Sequence, residues 1–235
     1  MHATCETPGI EVNTKVSQQR DWTRIVYQPA IADLPPVPVL QHVPRGGSVL
    51  DIGCNKGSNA LYLAQHGFRV LGIDIHCAAI EAARIRAREI GASGSVEFRV
   101  ADVLEEPFTD QFDVVMLIRV LTCFAEASEW NALLRRTTQL LKPRGYLYVH
   151  DFLAAPDIEA YRMRYEAGAT LGWRTGNFEV KDSKGNHMFI AHHHSDVEVA
   201  SIMAGYESLR YRSHESLSMN GNRCRMFEVL GRKQT

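Results

Sequence analysis

The stretch Val49 to Ala64, VLDIGCNKGSNALYLA, constrains the fold more than any other part of the chain. A short apolar run reaches an acid, Asp51, and gives way to the turn Gly53-Cys54-Asn55-Lys56-Gly57, after which a helical pattern begins at Ser58. That order reads as a buried strand, a tight loop and a helix N-terminus in succession. Small residues let a bound molecule approach the backbone, and the free N–H groups of the first helical turn carry partial positive charge. The loop is a candidate ligand cradle, and the fold around it must stack strands on helices.

The pattern on either side agrees. Ser48–Ile52 reads as a strand, Ser58–His66 as a helix stopped by Gly67, Phe68–Ile73 as a second strand, and His76–Ile90 as a helix stopped by Gly91. Val96, Phe98 and Val100 alternate as a third strand, and the near-continuous apolar run Phe112–Ile118 suits a strand covered on both faces. Ser128 reads as the N-cap of a helix with Trp130, Leu133, Leu134, Thr137 and Leu141 on one side, ending before Pro143. Gly145–His150 follows as a fifth strand. Residues 152–190 break the rhythm with a helix candidate at Asp157–Tyr165 and a hairpin around Asp182-Ser183-Lys184-Gly185, read as an insertion over the sheet. Ser195-x-x-Glu198 is a capping box for a helix ending at Gly205, and two last strands flank Asn220-Gly221. The expected architecture is α/β, a doubly wound Rossmann-like sheet of seven strands with an antiparallel C-terminal hairpin and a lid insertion after strand five.

At 235 residues and 45% apolar, the chain is expected to be a single domain. It divides into a cover segment (1–44) with a short helix at Asp21–Ala32, a ligand-binding core (45–151), a lid (152–194) and a C-terminal helix and hairpin (195–235). Twenty-six basic against 27 acidic residues leave no field that favours nucleic acid or an anionic membrane. Five scattered cysteines without C-x-x-C spacing argue against a disulfide framework and a zinc site. With no apolar leader and no membrane-length window, a cytoplasmic protein is expected.

In a doubly wound sheet, ligands bind outside the carboxyl ends of the strands. Asp51 and the glycine turn follow strand one, Asp74 ends strand two, Asp102 follows strand three, and Arg119 follows strand four. An acid ending strand two can accept both hydroxyls of a ribose. A dinucleotide fingerprint would read G-x-G-x-x-G, whereas here the second glycine is missing and Asp51 would repel a pyrophosphate; a cationic aminoacid-bearing nucleoside would be favoured.

The runs DIGCNKG, GID and AD, with LLKPRG before strand five, resemble the class I S-adenosylmethionine-dependent methyltransferases over residues 45–150, small-molecule type. The resemblance implies S-adenosylmethionine as cofactor, bound by Asp51, Gly53, Cys54, Asn55, Gly57, Asp74, Ile75, Asp102, Val103 and Arg119. Asp51 and Gly53 would hold the methionine part, Asp74 the ribose, Asp102 and Val103 the adenine, and Arg119 the far wall. Two departures stand out: Asn55 replaces a usual glycine, tolerable because Asn enters the left-handed region readily, and Arg144-Gly145 replaces a glycine pair. The function implied is methyl transfer to a small-molecule acceptor by in-line displacement. Alternatives are an RNA or protein methyltransferase, or a non-catalytic cofactor-binding module; a nicotinamide oxidoreductase is disfavoured.

Acceptor-side candidates are Trp22, Tyr27, Tyr161, Tyr165, Trp173 and Phe178, the last four as an aromatic lid, although singly such residues are more often core. His150, His193 and His194 are the catalytic candidates, with Asp151 a further possible base. On an extended chain only His192 and His194 of the HHH run can share a ligand, and no metal is expected.

Overall fold

The computed structural model describes residues 35–182, 184–218 and 221–234. The apolar runs become β1 (Ser48–Ile52), β2 (Arg69–Asp74), β3 (Val96–Val100) and β4 (Phe112–Ile118), all parallel. β5 (Leu141–Leu153) extends the sheet in parallel, and β8 (Tyr206–Leu217) and β9 (Arg223–Lys233) close it antiparallel. The strand order is β3-β2-β1-β4-β5-β9-β8 in a seven-stranded sheet. The chain steps outward from β1 to β3 and then returns to lay β4 on the other side of β1. Between those two strands the winding reverses, which opens a crevice at their carboxyl ends.

Because side chains alternate along a strand, the sheet feeds two cores. Leu50, Ile52 and Leu117 face Trp130 and Leu133 of α4 (Ala127–Leu140). Val49, Val114 and Met116 face Leu61 and Leu63 of α2 (Ser58–Gln65) and Ile80 of α3 (Cys77–Glu89). Burial on both sides is why β4 is apolar almost throughout. α3 is capped by His76 Nδ1, which accepts from the Ala79 N–H at 3.2 Å. α6 (Asp196–Ile202) opens on the Ser195/Glu198 capping box.

Several boundaries differ from expectation. The proline-rich approach contains α1 (Val37–His42), since proline is accepted in a first turn. α4 starts at Ala127 with Glu126, not Ser128, at the N-cap. β5 runs from Leu141 to Leu153, longer than Gly145–His150, because β9 pairs with it as far as Leu153. The insertion helix α5 spans Glu159–Thr170, beyond the Asp157–Tyr165 reading, and α6 stops at Ile202, before Gly205. The insertion also builds its own antiparallel pair, β6 (Asn177–Lys181) and β7 (His187–His192), over a third apolar cluster. The Asp21–Ala32 helix lies outside the described residues. Cys54, Cys123 and Cys224 are free. No described helix is long and apolar enough to cross a membrane.

Candidate functional site

The crevice between β1 and β4 is lined by the residues the strand ends deliver. Asp51, 2% exposed, sits inside β1 one residue short of its end. Gly53, Asn55 and Gly57 then take positive φ of 68°, 49° and 74°. Asn55 is thus in the left-handed region, as expected of an Asn in a glycine's place. At Gly53 a Cβ would lie 2.7 Å from a methyl of Val120, in the loop after β4, so the two walls of the crevice meet only because that side chain is missing. At Gly57 a Cβ would strike Phe98 of β3 at 2.4 Å.

Asp74 ties the loop to the next strand end. Its Oδ2 accepts the Asn55 N–H and its Oδ1 accepts the His76 N–H, both at 2.8 Å. Each carboxylate oxygen carries two lone pairs, so both retain capacity for a further donor. Asp102 makes a local turn, Oδ1 accepting the Leu104 N–H at 2.9 Å, and Val103 beside it is buried. The acids of β1 and β2 and the one following β3 therefore sit at three adjacent strand ends. Cys54 is buried, and burial together with Asp51 and Asp74 pushes its thiol well up, which leaves it an inert small residue.

Arg119 follows β4 with φ 57° and donates its N–H to His150 O at 2.8 Å. Its guanidinium acts on His150, Asp151 and Cys224, on the β5 and β9 side of the crevice. His150 lies in β5 opposite Ile118, its ring 5.3 Å from that of His214 in β8. Burial first, then His214, Arg119 and Arg212 against the opposing pull of Glu228, bring His150 down to about 4, so it is neutral near pH 7. Its Nε2 and both ring nitrogens of His214 are buried without a hydrogen-bond partner. His214 escaped the sequence reading because only pairing through β9 brings β8 near β5. Asp151, on the opposite face of β5, is fully buried and accepts backbone N–H groups of Phe152 at 2.8 Å and Thr122 at 3.3 Å; burial lifts it to about 7 despite those bonds and Arg119.

The other candidates separate. His193 stacks on Phe152 with ring centroids 5.0 Å apart and its Nδ1 pairs with Tyr165 Oη at 2.8 Å, among Tyr161 and Phe178. Tyr161 and Phe178 are core of the insertion rather than a free aromatic face. Trp173 lines a different groove of about 440 Å³ with Arg164, Glu179 and Lys181. His194 turns the other way, between Trp130 and Phe227. Trp22 and Tyr27 lie outside the described residues.

The family model described as a methyltransferase domain matches residues 44–192. The chain belongs to the methyltransferase-domain family. This methyltransferase-domain chain is similar to a solved S-adenosylmethionine-dependent methyltransferase of Methanosarcina mazei, with a TM-score of 0.80 and 29% identity over 86% of this chain and 99% of that one. Its cofactor is accordingly S-adenosylmethionine, and the class I architecture holds the expected glycine loop and strand-end acids. Among curated relatives, it is 34% identical over 113 residues to the 27-O-demethylrifamycin SV methyltransferase of Amycolatopsis mediterranei, covering 47% of this chain and 40% of that protein. It is also 34% identical over 105 residues to a ubiquinone biosynthesis O-methyltransferase of Pseudomonas fluorescens, covering 44% of this chain and 43% of that protein. The methyltransferase-domain chain thus spans less than half the length of these two relatives. NodS, an N-methyltransferase of Bradyrhizobium japonicum solved with S-adenosyl-L-homocysteine, shares the fold at TM-score 0.59 and 16% identity over 93% of this chain and 97% of that one.

Proposed function

We propose that this protein methylates a small-molecule acceptor, using Asp51, Gly53, Asp74, Asp102 and the surrounding loop to hold S-adenosylmethionine. The observation that carries this reading is the meeting of three acids and a left-handed glycine loop at the crevice where the sheet's winding reverses. The cofactor supplies a sulfonium-activated methyl group. Asp74 would accept the ribose hydroxyls with the lone pairs its two backbone bonds leave, Asp102 and Val103 would meet the adenine, and the carboxylate of Asp51 would favour the cationic aminoacid end. Asp51 is 2% exposed, and a charge in so dry a wall would act on a cation more strongly than it would in water.

On the acceptor side, His150 and His214 present neutral imidazole nitrogens beside the end of β4. A histidine held near 4 is a weak base, so its role is to accept a hydrogen bond from an acceptor hydroxyl or amine and aim its lone pair. His193, locked to Tyr165, and His194, turned away toward Trp130, are not placed to do this. The names of the relatives support a small acceptor: one prints 27-O-demethylrifamycin SV and the other ubiquinone biosynthesis. A near-neutral charge balance and no membrane-length helix among the described residues are in keeping with a cytoplasmic enzyme.

The test is incubation with labelled S-adenosylmethionine and a host metabolite extract, beside bulk tRNA and a protein extract. Label on a low-mass metabolite, reduced by His150→Ala, is the expected result. Label confined to RNA or protein, or donor binding with no product in any arm, overturns the reading.

A further inference from the structure

We propose that His192, His194 and Glu198 form a binding site for a divalent transition cation of the zinc type. Both histidines are fully buried, and one donor atom from each of the three residues lies within 4.8 Å of the others. The orientation of His192 is legible. Asn177 Nδ2 donates to the carbonyl of Ala125 at 3.2 Å, which turns its Oδ1 toward His192 Nδ1 at 2.8 Å. That oxygen can only accept, so Nδ1 donates to it and Nε2 is the ring atom turned toward Glu198 Oε1, 3.3 Å away. His194 stands edge to face with His192 at 4.8 Å, and neither of its buried ring nitrogens has a hydrogen-bond partner.

Ligand atoms gathered in a dry interior, with the ring nitrogens of His194 unpartnered, are costly unless a cation joins them. Two imidazoles and one carboxylate oxygen suit zinc, cobalt or nickel, whereas magnesium and calcium prefer all-oxygen shells. The surroundings are those of a supported ligand set. An amide oxygen orients His192, and Ser195 holds the other oxygen of Glu198 through its N–H at 2.8 Å and its Oγ at 2.9 Å. Coordination at about 2.0–2.1 Å brings tetrahedral donors to about 3.3 Å of one another, a modest contraction, with a fourth position left for water.

One group competes. Arg174 donates Nη2 to the same Glu198 Oε1 while its guanidinium lies 5.3 Å over the Trp130 ring. Arg174 neutralises Glu198 when no cation is bound, and its positive charge on Oε1 opposes one that enters. A cation there would pin the end of β7 and the start of α6 to each other, clamping the insertion to the main sheet. This site is independent of methyl transfer.

The full chain, stripped with chelator and dialysed, is titrated with Zn²⁺ by calorimetry and with Co²⁺ by visible absorption. One equivalent should bind, with the intense d–d bands of tetrahedral cobalt. His194→Gln and Glu198→Gln should weaken binding at least about tenfold, Arg174→Gln should tighten it, and His187→Gln, on an exposed histidine paired with Glu179, should leave it unchanged. No binding by the parent chain, equal binding by His194→Gln, or loss of binding in His187→Gln overturns the proposal. If the histidine and glutamate variants fail to fold, the cobalt spectrum and the Arg174→Gln response still decide it, since unchanged or weaker binding there is also fatal.

Discussion

Asp74 does two jobs with one carboxylate, and their separation is measurable. It braces the loop through Asn55 and the start of α3 through His76, and it retains capacity for two further donors. Hydrogen bonds to a charged acceptor contribute about 1.5–3 kcal/mol each, so Asp74→Ala should weaken S-adenosylhomocysteine binding on the order of 100-fold by calorimetry. Asp74→Asn, which keeps an acceptor but not the charge, should fall between. Equal affinity in all three proteins would remove Asp74 from the cofactor site. At this scale the glycine loop and strand-end acids were legible because each is tied to a short local pattern. The split of the HHH run was legible too, since neighbours on an extended chain face opposite ways: His193 enters the aromatic cluster while His192 and His194 share the other side. Glu198 was read as a capping residue, which it is, and nothing local reveals that its second oxygen meets His192.

Helices and strands of the core announced themselves through period and stop signals, and β1, β3 and β4 have the predicted limits. The end of β5 was misread because a distant strand, β9, decides it. The insertion was recognised as a break in rhythm, but its two-stranded sheet depends on the tight approach of Gly176 to the histidine run. Gly176 has φ 91° and a Cβ there would lie 2.4 Å from the carbonyl of His193, whereas Gly172 has φ 74° with open space around it. Left-handed backbone costs about 1–2 kcal/mol for a residue with a side chain, and forced overpacking about 1–3 more. Gly176→Ala should therefore destabilise by about 2–5 kcal/mol and Gly172→Ala by only about 1–2, read from chemical denaturation. Equal losses would mean that the contact with His193 does not hold the insertion.

Across the whole molecule, buried ionisable groups set the response to acid. His150 is held near 4, His193 near 3 and His194 well below its ordinary value of 6.5, in each case chiefly by burial. Unfolding lets all three take up a proton below pH 6.5, so their contribution to stability is complete above that pH and is lost as the pH falls. Asp151 works the other way: raised from 3.8 to about 7, it keeps in the fold a proton that the unfolded chain has released, and stability falls as the pH rises through that window. Three histidines outweigh one carboxyl, so stability should drop between about pH 6.5 and 4.5 at roughly 1.4 kcal/mol per pH unit for each net proton. Asp151→Asn should steepen that fall and His193→Gln should flatten it; a level profile in the parent chain would mean these groups are solvated.

The third apolar cluster, built on Tyr161, Phe178, Val180, Phe189 and Ala191, shares no residue with the two that flank the sheet and rests on it through Cys224 and Met226 of β9 and Phe152 of β5. A lineage can therefore rewrite that unit while the sheet and its glycine loop drift on their own schedule. The same separation offers engineers a natural seam for exchange, with β5 as the fixed stem on either side of which the two halves evolve.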